Sequence, residues 1–435
     1  MSAAAEHGAP FSALILAGND ERDKRARRWL LGLTLVERLA LDAKHRGAER
    51  VALRGDVELL PVKRRDGVAP LDADDDISAI EAERALEPER DLLVVAADVI
   101  YHPQLIGKLR AAAARDGCSQ IYRGGEGAEP ILYLRGADAE RIPKAGSLAD
   151  LADALAAGGV AHRFDAPDGF FAIAPRDAAG TRAARRAFMK TNWRPHDGII
   201  ARVLNKHMSV PISTLLVHTP ITPNLMTGLS FIMAMVGVYF ASLGTYWTFL
   251  IGATLVQIQS VLDGCDGEIA RAKYKFSNAG AWFDTIVDDV IGISWVVALG
   301  VGCWRATGEI TYAIVGSVAA AMYFTSTGLV FIALLRYGAA SHSEFVYWFE
   351  EGTDPHEDYP DLKKLSTWGK YFVRRDFFVF FFWLLSLGGL IRVSLAFAVA
   401  GAVGWFTVAM IQFAKRGMRV VPPEEIAERV AARES

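Results

Sequence analysis

The chain has 435 residues, 52% hydrophobic and 22% charged, with a formal net charge of −3. This composition excludes a disordered chain, and the small net charge gives no basic excess of the kind a nucleic-acid binder carries. The average hides two halves, since residues 1–200 hold 60 of the 97 Asp, Glu, Lys and Arg residues whereas His207–Leu262 holds none. That uncharged stretch excludes a wholly water-soluble protein, and the mean hydropathy of +0.20 mixes an ordinary soluble half with an apolar one.

In chain order, MSAAAEHGAP lacks a basic segment followed by an apolar one, so no secretory signal is expected and the polar half should stay in the cytosol. Apolar runs at 11–18, 51–53, 91–98, 120–122, 131–134 and 169–173 read as strands. They alternate with helical stretches such as 105–114 and 148–157, which predicts an α/β domain with a mainly parallel sheet. The acidic run LDADDD at 71–76 reads as a solvated loop. Cys118, Cys265 and Cys303 lie far apart, with no disulfide framework or zinc pattern.

From residue 197 the texture changes. Gly198–Met208 reads as an amphipathic helix at a membrane interface, or else as an ordinary interdomain helix. Six apolar segments follow: Leu225–Gly244, Tyr246–Leu262 running on to Arg271, Trp282–Trp304, Thr311–Leu335, Phe377–Ile391 and Val393–Ala414. Each is near the roughly 20 residues a spanning helix needs, the fifth being short. With the N-terminus inside, Arg271, Lys273, Lys275, Arg336, Lys363, Lys364, Lys370, Arg374, Arg375, Lys415, Arg416 and Arg419 fall on the cytosolic side, against Arg305 and Arg392 opposite. That bias predicts an integral protein of the cell (inner) membrane with both termini cytosolic.

The second and third segments carry four acids at telling spacings. Asp263 and Asp266 are three apart, Asp284 and Asp288 four apart, so each pair lies on one helical face. A helical hairpin would bring all four together at the cytosolic end, where their repulsion calls for cations. Oxygen ligands there suit Mg²⁺ or Mn²⁺, and a pair of such ions suits displacement at phosphorus. Acids that merely mark the membrane boundary would explain one or two of these residues, not four beside Gly267, Arg271 and Gly280. Asp289 lies off that face and reads as solvated or structural.

These residues form the pattern D-x₂-D-G-x₂-A-R-x₈-G-x₃-D-x₃-D from Asp263 to Asp288, which resembles the signature of the CDP-alcohol phosphotransferase family. The resemblance covers about residues 197–420, including Thr222-Pro223-Asn224 before the first span. It implies a six-helix transmembrane domain that moves a substituted phosphoryl group from a CDP-linked donor to an alcohol and releases CMP. It further implies Asp263, Asp266, Asp284 and Asp288 at the metals, with Asp288 as the catalytic base. Asp266, Gly267, Ala270, Arg271 and Gly280 would shape the CDP site, and a homodimer is expected from the same resemblance. Gly267, Gly280 and Ala270 would let a nucleotide approach closely, and Arg271 can pair with phosphate.

ALILAG at 13–18, the Gly32 region and VVAADVIYHP at 94–103 resemble a sugar- or polyol-phosphate nucleotidyltransferase. The glycine-rich basic loop is missing: Gly18 is followed by Asn19-Asp20-Glu21, and Arg22, Lys24 and Arg25 come late. The domain is therefore expected to be degenerate, with Asp98 either a retained metal position or a structural strand-end acid. Lys190, Arg194, Arg202, Lys206, Arg336, Arg374 and Arg375 could meet a phosphorylated acceptor, the run Arg374-Arg375-Asp376 at the start of the fifth span foremost, or simply anchor the cytosolic side.

The expected organisation is thus a degenerate nucleotidyltransferase-like α/β domain at 1–196, an interfacial helix and linker at 197–224, the six-span domain at 225–420 and a cytosolic tail at 421–435. The expected function is phospholipid synthesis at a cytosol-facing site, with CDP-diacylglycerol as donor and a small polar alcohol, inositol phosphate among them, as acceptor. The alternative is a bifunctional enzyme whose N-domain makes a CDP-polyol donor. A non-enzymatic alternative is a magnesium-binding transporter or membrane anchor.

Overall fold

The computed structural model describes residues 10–18, 20–125, 127–194, 197–337 and 374–416. Asn19, Lys363, Lys364, Lys370, Arg419 and the tail at 421–435 lie outside them. The chain divides into two compact units, one running to Thr191 with Ala272–Tyr274 added, the other taking Asn192–Arg271 and the chain from Lys275 onward.

The first unit contains strands β1 (Phe11–Leu16), β2 (Trp29–Leu30), β3 (Leu33–Thr34), β4 (Ala48–Arg54), β5 (Ala69–Leu71), β6 (Asp91–Ala96), β7 (Ile100–Tyr101), β8 (Ser119–Tyr122), β9 (Ile131–Leu134), β10 (Ala161–Arg163) and β11 (Ala172–Ile173). Its helices are α1 (Asp20–Ala26), α2 (Leu35–His45), α3 (Val62–Arg65), α4 (Asp76–Leu86), α5 (Leu105–Asp116), α6 (Leu148–Ala157) and α7 (Ala178–Lys190). Seven strands form one sheet in the order β10-β8-β9-β6-β1-β4-β5. β1 is buried along its whole length, parallel to β4 on one side and to β6 on the other. β9 alone runs against its neighbours, antiparallel to both β6 and β8.

The strand period of two divides the apolar residues between two cores. Ala13, Ile15, Leu93 and Val95 pack on one face, Leu14, Leu16, Leu92 and Val94 on the other. The segment expected as a strand at 169–173 reaches only Ala172–Ile173, and it pairs with β7 outside the main sheet. The acidic run at 71–76 is not simply a solvated loop. Asp75 caps α4 through a reciprocal pair of bonds with Ser78, and Asp76 takes Arg22 and Arg54 at 2.9 and 2.8 Å. A helix start with two arginines nearby gives those acids structural work.

The second unit is helical. A π-helical turn, Ala201–Asn205, leads into α8 (Lys206–Leu216), followed by α9 (Pro223–Ser242), α10 (Tyr246–Lys273), α11 (Asn278–Thr307), α12 (Thr311–Tyr337), α13 (Arg375–Leu387) and α14 (Ile391–Arg416). The helix expected to end at Met208 therefore runs on through Pro211 to Leu216. Pro211 is exposed, while Ser209, Val210 and Ser213 are buried, so packing on one face outweighs the hydrogen bond that the proline forfeits.

Thr222 caps α9 by accepting from Leu225 N, with Pro223 at the first helical position. Among the described residues five helices, α9 to α12 and α14, are long and apolar enough to cross a bilayer. Six were expected. The fifth segment forms α13, which has 13 residues and stops at Gly388-Gly389, the latter at φ +69°. At 1.5 Å per residue it covers about 20 Å, short of a hydrocarbon core of about 30 Å.

Helices approach closely where glycines face each other. A Cβ on Gly237 would lie 2.8 Å from Gly252 O, and one on Gly300 would lie 2.9 Å from Gly316 Cα. Phe249, Trp295, Leu299, Cys303, Phe382 and Leu395 fill the bundle core.

Candidate active site

α10 is 28 residues long and α11 30, so both extend beyond what a hydrocarbon core requires and carry their acids near the facing ends. Ser277 caps α11 by accepting from Gly280 N at 3.0 Å, which fixes the start of the helix that presents Asp284 and Asp288 one turn apart. Asp263, Asp284 and Asp288 each offer an oxygen within 4.8 Å of the others. Asp284 Oδ1 is buried without a hydrogen-bond partner. Three converging carboxylates with an unsatisfied buried oxygen fit a hard divalent cation.

Asp266 stands beside this trio rather than within it. Its Oδ2 accepts from Thr227 Oγ1 on α9 at 2.5 Å, and its Oδ1 accepts from Gly267 N. The four acids are thus neighbours, three with oxygens within 4.8 Å of one another and the fourth, beside Asp284, also held by α9.

Gly280 sits against Asn224, whose Oδ1 would lie 3.0 Å from any Cβ added there. The Thr-Pro-Asn turn and the signature glycine are thus packed together. A Cβ on Gly267 would lie 3.0 Å from an Arg271 guanidinium nitrogen, so the space that Gly267 leaves is shared with Arg271. Arg271 Nε donates to Asn192 Oδ1 at 2.7 Å. Ala270 stands half-buried one position before it.

Of the neighbouring arginines, Arg375 reaches the carboxylates and Arg374 does not. Arg375 Nη1 donates to Asp263 Oδ2 at 3.3 Å and pairs with Asp288, while Nη2 donates to Gln259 Oε1 at 3.1 Å. Arg374 is exposed, its Nε 3.8 Å from Asp376 Oδ1. Arg202 stands on the π-helical turn. Lys190 and Arg336 are exposed. Lys206, expected among the cations that could meet an acceptor, is instead a buried partner of Glu268 at 2.9 Å. Ser209 Oγ bonds the same Glu268 oxygen at 2.8 Å. Asp289 is buried off the carboxylate face, near Tyr323.

Three contributors were not singled out from sequence: Thr227, Gln259 and Glu268. Gln259 carried a signal, lying one turn before Asp263 on the same face of α10, where its Nε2 bonds Asp263 Oδ1 at 3.2 Å. Asp376 accepts from Ala201 N at 2.9 Å, and a side chain at Gly198 would collide with its carboxylate.

Residues 220–411 match the CDP-alcohol phosphatidyltransferase family model. The C-terminal half carries a CDP-alcohol phosphatidyltransferase domain. Among curated proteins, the chain is 41% identical over 103 residues to the bifunctional IPC transferase and DIPP synthase of Aquifex aeolicus, covering 24% of this chain and 23% of that one. It is 34% identical over 122 residues to the protein of the same name from Archaeoglobus fulgidus, covering 28% and 24%. The chain thus spans about a quarter of the length of these relatives. Among solved structures, a UDP-glucose pyrophosphorylase complexed with UDP-glucose aligns with 42% of this chain and 99% of its own at TM-score 0.32 and 14% identity.

At the facing ends of α10 and α11 three carboxylates share one guanidinium, whereas the acids beside the loop after β1 have partners of their own. Gly18, at φ +87°, directs its N–H to Asp23 Oδ1 at 2.7 Å. Arg25 Nε pairs with the buried Asp98 at 2.7 Å. The loop after β1 thus gives a backbone donor, and α1 a cation, to carboxylates of their own unit.

Proposed function

We propose that the phosphatidyltransferase domain moves a substituted phosphoryl group from a CDP-linked donor to an alcohol at the cytosolic ends of α10 and α11. The observation carrying this reading is the convergence of Asp263, Asp284 and Asp288 beside the Gly267-Ala270-Arg271-Gly280 pattern. Asp263, Asp266 and Asp284 would hold Mg²⁺ or Mn²⁺, two ions in all, with Asp288 at their edge. When bound, such cations withdraw charge from the phosphoryl oxygens and from the departing CMP.

The remaining work belongs to the chain. Asp288 takes the proton of the acceptor hydroxyl as its oxygen bonds to phosphorus and the bond to CMP breaks. Gly267, Ala270 and Gly280 keep the cytidine face low, and Arg271 meets the pyrophosphate. Arg202 and Arg374 would meet a phosphorylated acceptor, while Arg375 is held among the carboxylates. Cytosolic termini follow from the Lys and Arg bias, and a homodimer from the family resemblance.

The names of the relatives support a bifunctional chain over a CDP-diacylglycerol enzyme of phospholipid synthesis: the donor would be a CDP-linked polyol that the α/β unit makes from CTP. A second reading, in which the α/β unit is degenerate and the donor is ready-made, is favoured by the Gly18–Asp23 and Arg25–Asp98 contacts. Two assays on the full chain separate them. CMP release is followed with CDP-diacylglycerol and with CDP-polyols, and pyrophosphate release with CTP and polyol phosphates. Substrate-dependent pyrophosphate release supports the bifunctional reading, and its absence beside CMP release from a ready-made donor supports the second. No CMP release from any CDP-linked donor would overturn both.

A further inference from the structure

Arg375 occupies an unusual position for a phosphate-binding candidate. Both arms of its guanidinium fork are committed to the carboxylate cluster, one to Asp263 and Asp288, the other to Gln259. Gln259 closes a ring by donating to Asp263. The arginine is not a loose side chain that happens to fall there. It is the first residue of α13, and the next residue, Asp376, is tied to Ala201 N with the glycine at 198 leaving room for its carboxylate. The backbone that aims Arg375 is thus held from the opposite side.

We propose that Arg375 is a positioning residue that competes with the divalent cation for Asp263 and Asp288 and so sets how tightly that cation is held. The inference rests on the metal reading of the preceding section and assigns Arg375 a role within it. Two of the three carboxylates that fit a cation are the two that Arg375 engages. A guanidinium stays charged at any working pH, so it cannot step aside by losing a proton. Like charges a few ångströms apart repel strongly in a partly buried site. Arg375 therefore offsets the mutual repulsion of the acids and at the same time weakens cation binding. A purely structural role predicts the opposite sign, because loosening the cluster would weaken metal binding.

The test is Mn²⁺ titration of the full-length protein in nanodiscs after chelator treatment, with free Mn²⁺ read by electron paramagnetic resonance. Arg375→Gln should bind Mn²⁺ about tenfold more tightly than the wild type, and Arg375→Lys about threefold, since Lys keeps the charge but cannot fork. The same ordering should appear in thermal unfolding, with Arg375→Gln the less stable without Mn²⁺ and gaining more than wild type on its addition. Should Arg375→Gln fail to fold, Arg375→Lys decides by the same measure. Equal or weaker Mn²⁺ binding by the folded variant overturns the inference. If the wild type binds no Mn²⁺, or Asp284→Asn binds it as well as the wild type, the metal reading falls and the inference with it.

Discussion

The carboxylate trio of the helical unit and the paired acids of the α/β unit share out their cations differently. In the α/β unit Glu83 has Arg50 at 2.8 Å, Asp76 has Arg22 and Arg54, Asp98 has Arg25, and Glu37 has Arg64 at 3.2 Å. In the helical unit one guanidinium serves Asp263 and Asp288, while Asp284 keeps a buried oxygen unpaired. Acids with a cation of their own serve the fold, even where an oxygen such as Glu83 Oε2 is buried without a hydrogen-bond partner. A surplus of carboxylate in a low-dielectric site is costly unless something arrives to share it, and that surplus separates a site from a scaffold.

The largest effect that could break this contrast comes from the surplus itself. Asp263→Asn, Asp266→Asn and Asp284→Asn should each lower CMP release by about a thousandfold or more while membrane insertion persists, because each removes part of the cation's charge. Chelation should do the same, with Mg²⁺ or Mn²⁺ restoring activity. Near-normal transfer by Asp284→Asn would make the trio no more functional than the Arg25–Asp98 pair. Asp288→Asn sharpens the picture: turnover should fall by about a hundredfold or more with donor KM little changed, as expected of a base. A rise in donor KM at unchanged turnover would instead make it a binding residue.

The buried Lys206–Glu268 pair is a matched pair inside the helical unit, and it should behave like those of the α/β unit. Lys206→Met leaves Glu268 uncompensated and should cost about 3–5 kcal/mol of stability, whereas Lys206→Met with Glu268→Leu should recover much of it. Thermal unfolding of the purified protein measures both. Equal losses in the single and double variants would mean that the charges themselves are not what matters.

The smallest effect tests the α/β unit with pH. His102 stacks on Phe170 at a ring separation of 4.1 Å, and burial lowers its pKa to about 4 from its ordinary 6.5. Above pH 6.5 the group is neutral whether folded or unfolded and contributes nothing to the pH dependence. As pH falls from 6.5 toward 4 the unfolded chain takes up a proton that the folded one refuses, so stability declines across that window. His102→Gln should flatten the decline in unfolding temperature between pH 7 and 4. An unchanged slope would remove His102 as its source.

Local patterns made much of this legible, and partner choice did not. The central strands β1 and β6 show as apolar runs because both faces of each are buried. The acids on α10 and α11 show through helical spacing. By contrast β5 and β10 have three residues each, too short to carry a period, and owe their existence to neighbouring strands. The directions of Arg375 and Lys206 were equally hidden. Whether a cation seeks solvent, phosphate or a carboxylate depends on residues far along the chain, here Asp263 and Glu268, and no local spacing encodes that. The same holds for the run at 71–76, whose arginine partners come from α1 and β4.

Gly198 has no functional group, yet any larger residue there would push on the Asp376 carboxylate and so on the first turn of α13. Its demand for emptiness makes it a lever: a single methyl could misaim a guanidinium that sits among the acids of another pair of helices. In a saturation screen for transfer, this position should tolerate as little as the aspartates do, for reasons of volume rather than charge. It also offers a handle for engineering, because a substitution here paired with a shorter partner at Asp376 would retune the cluster without touching any residue that holds it.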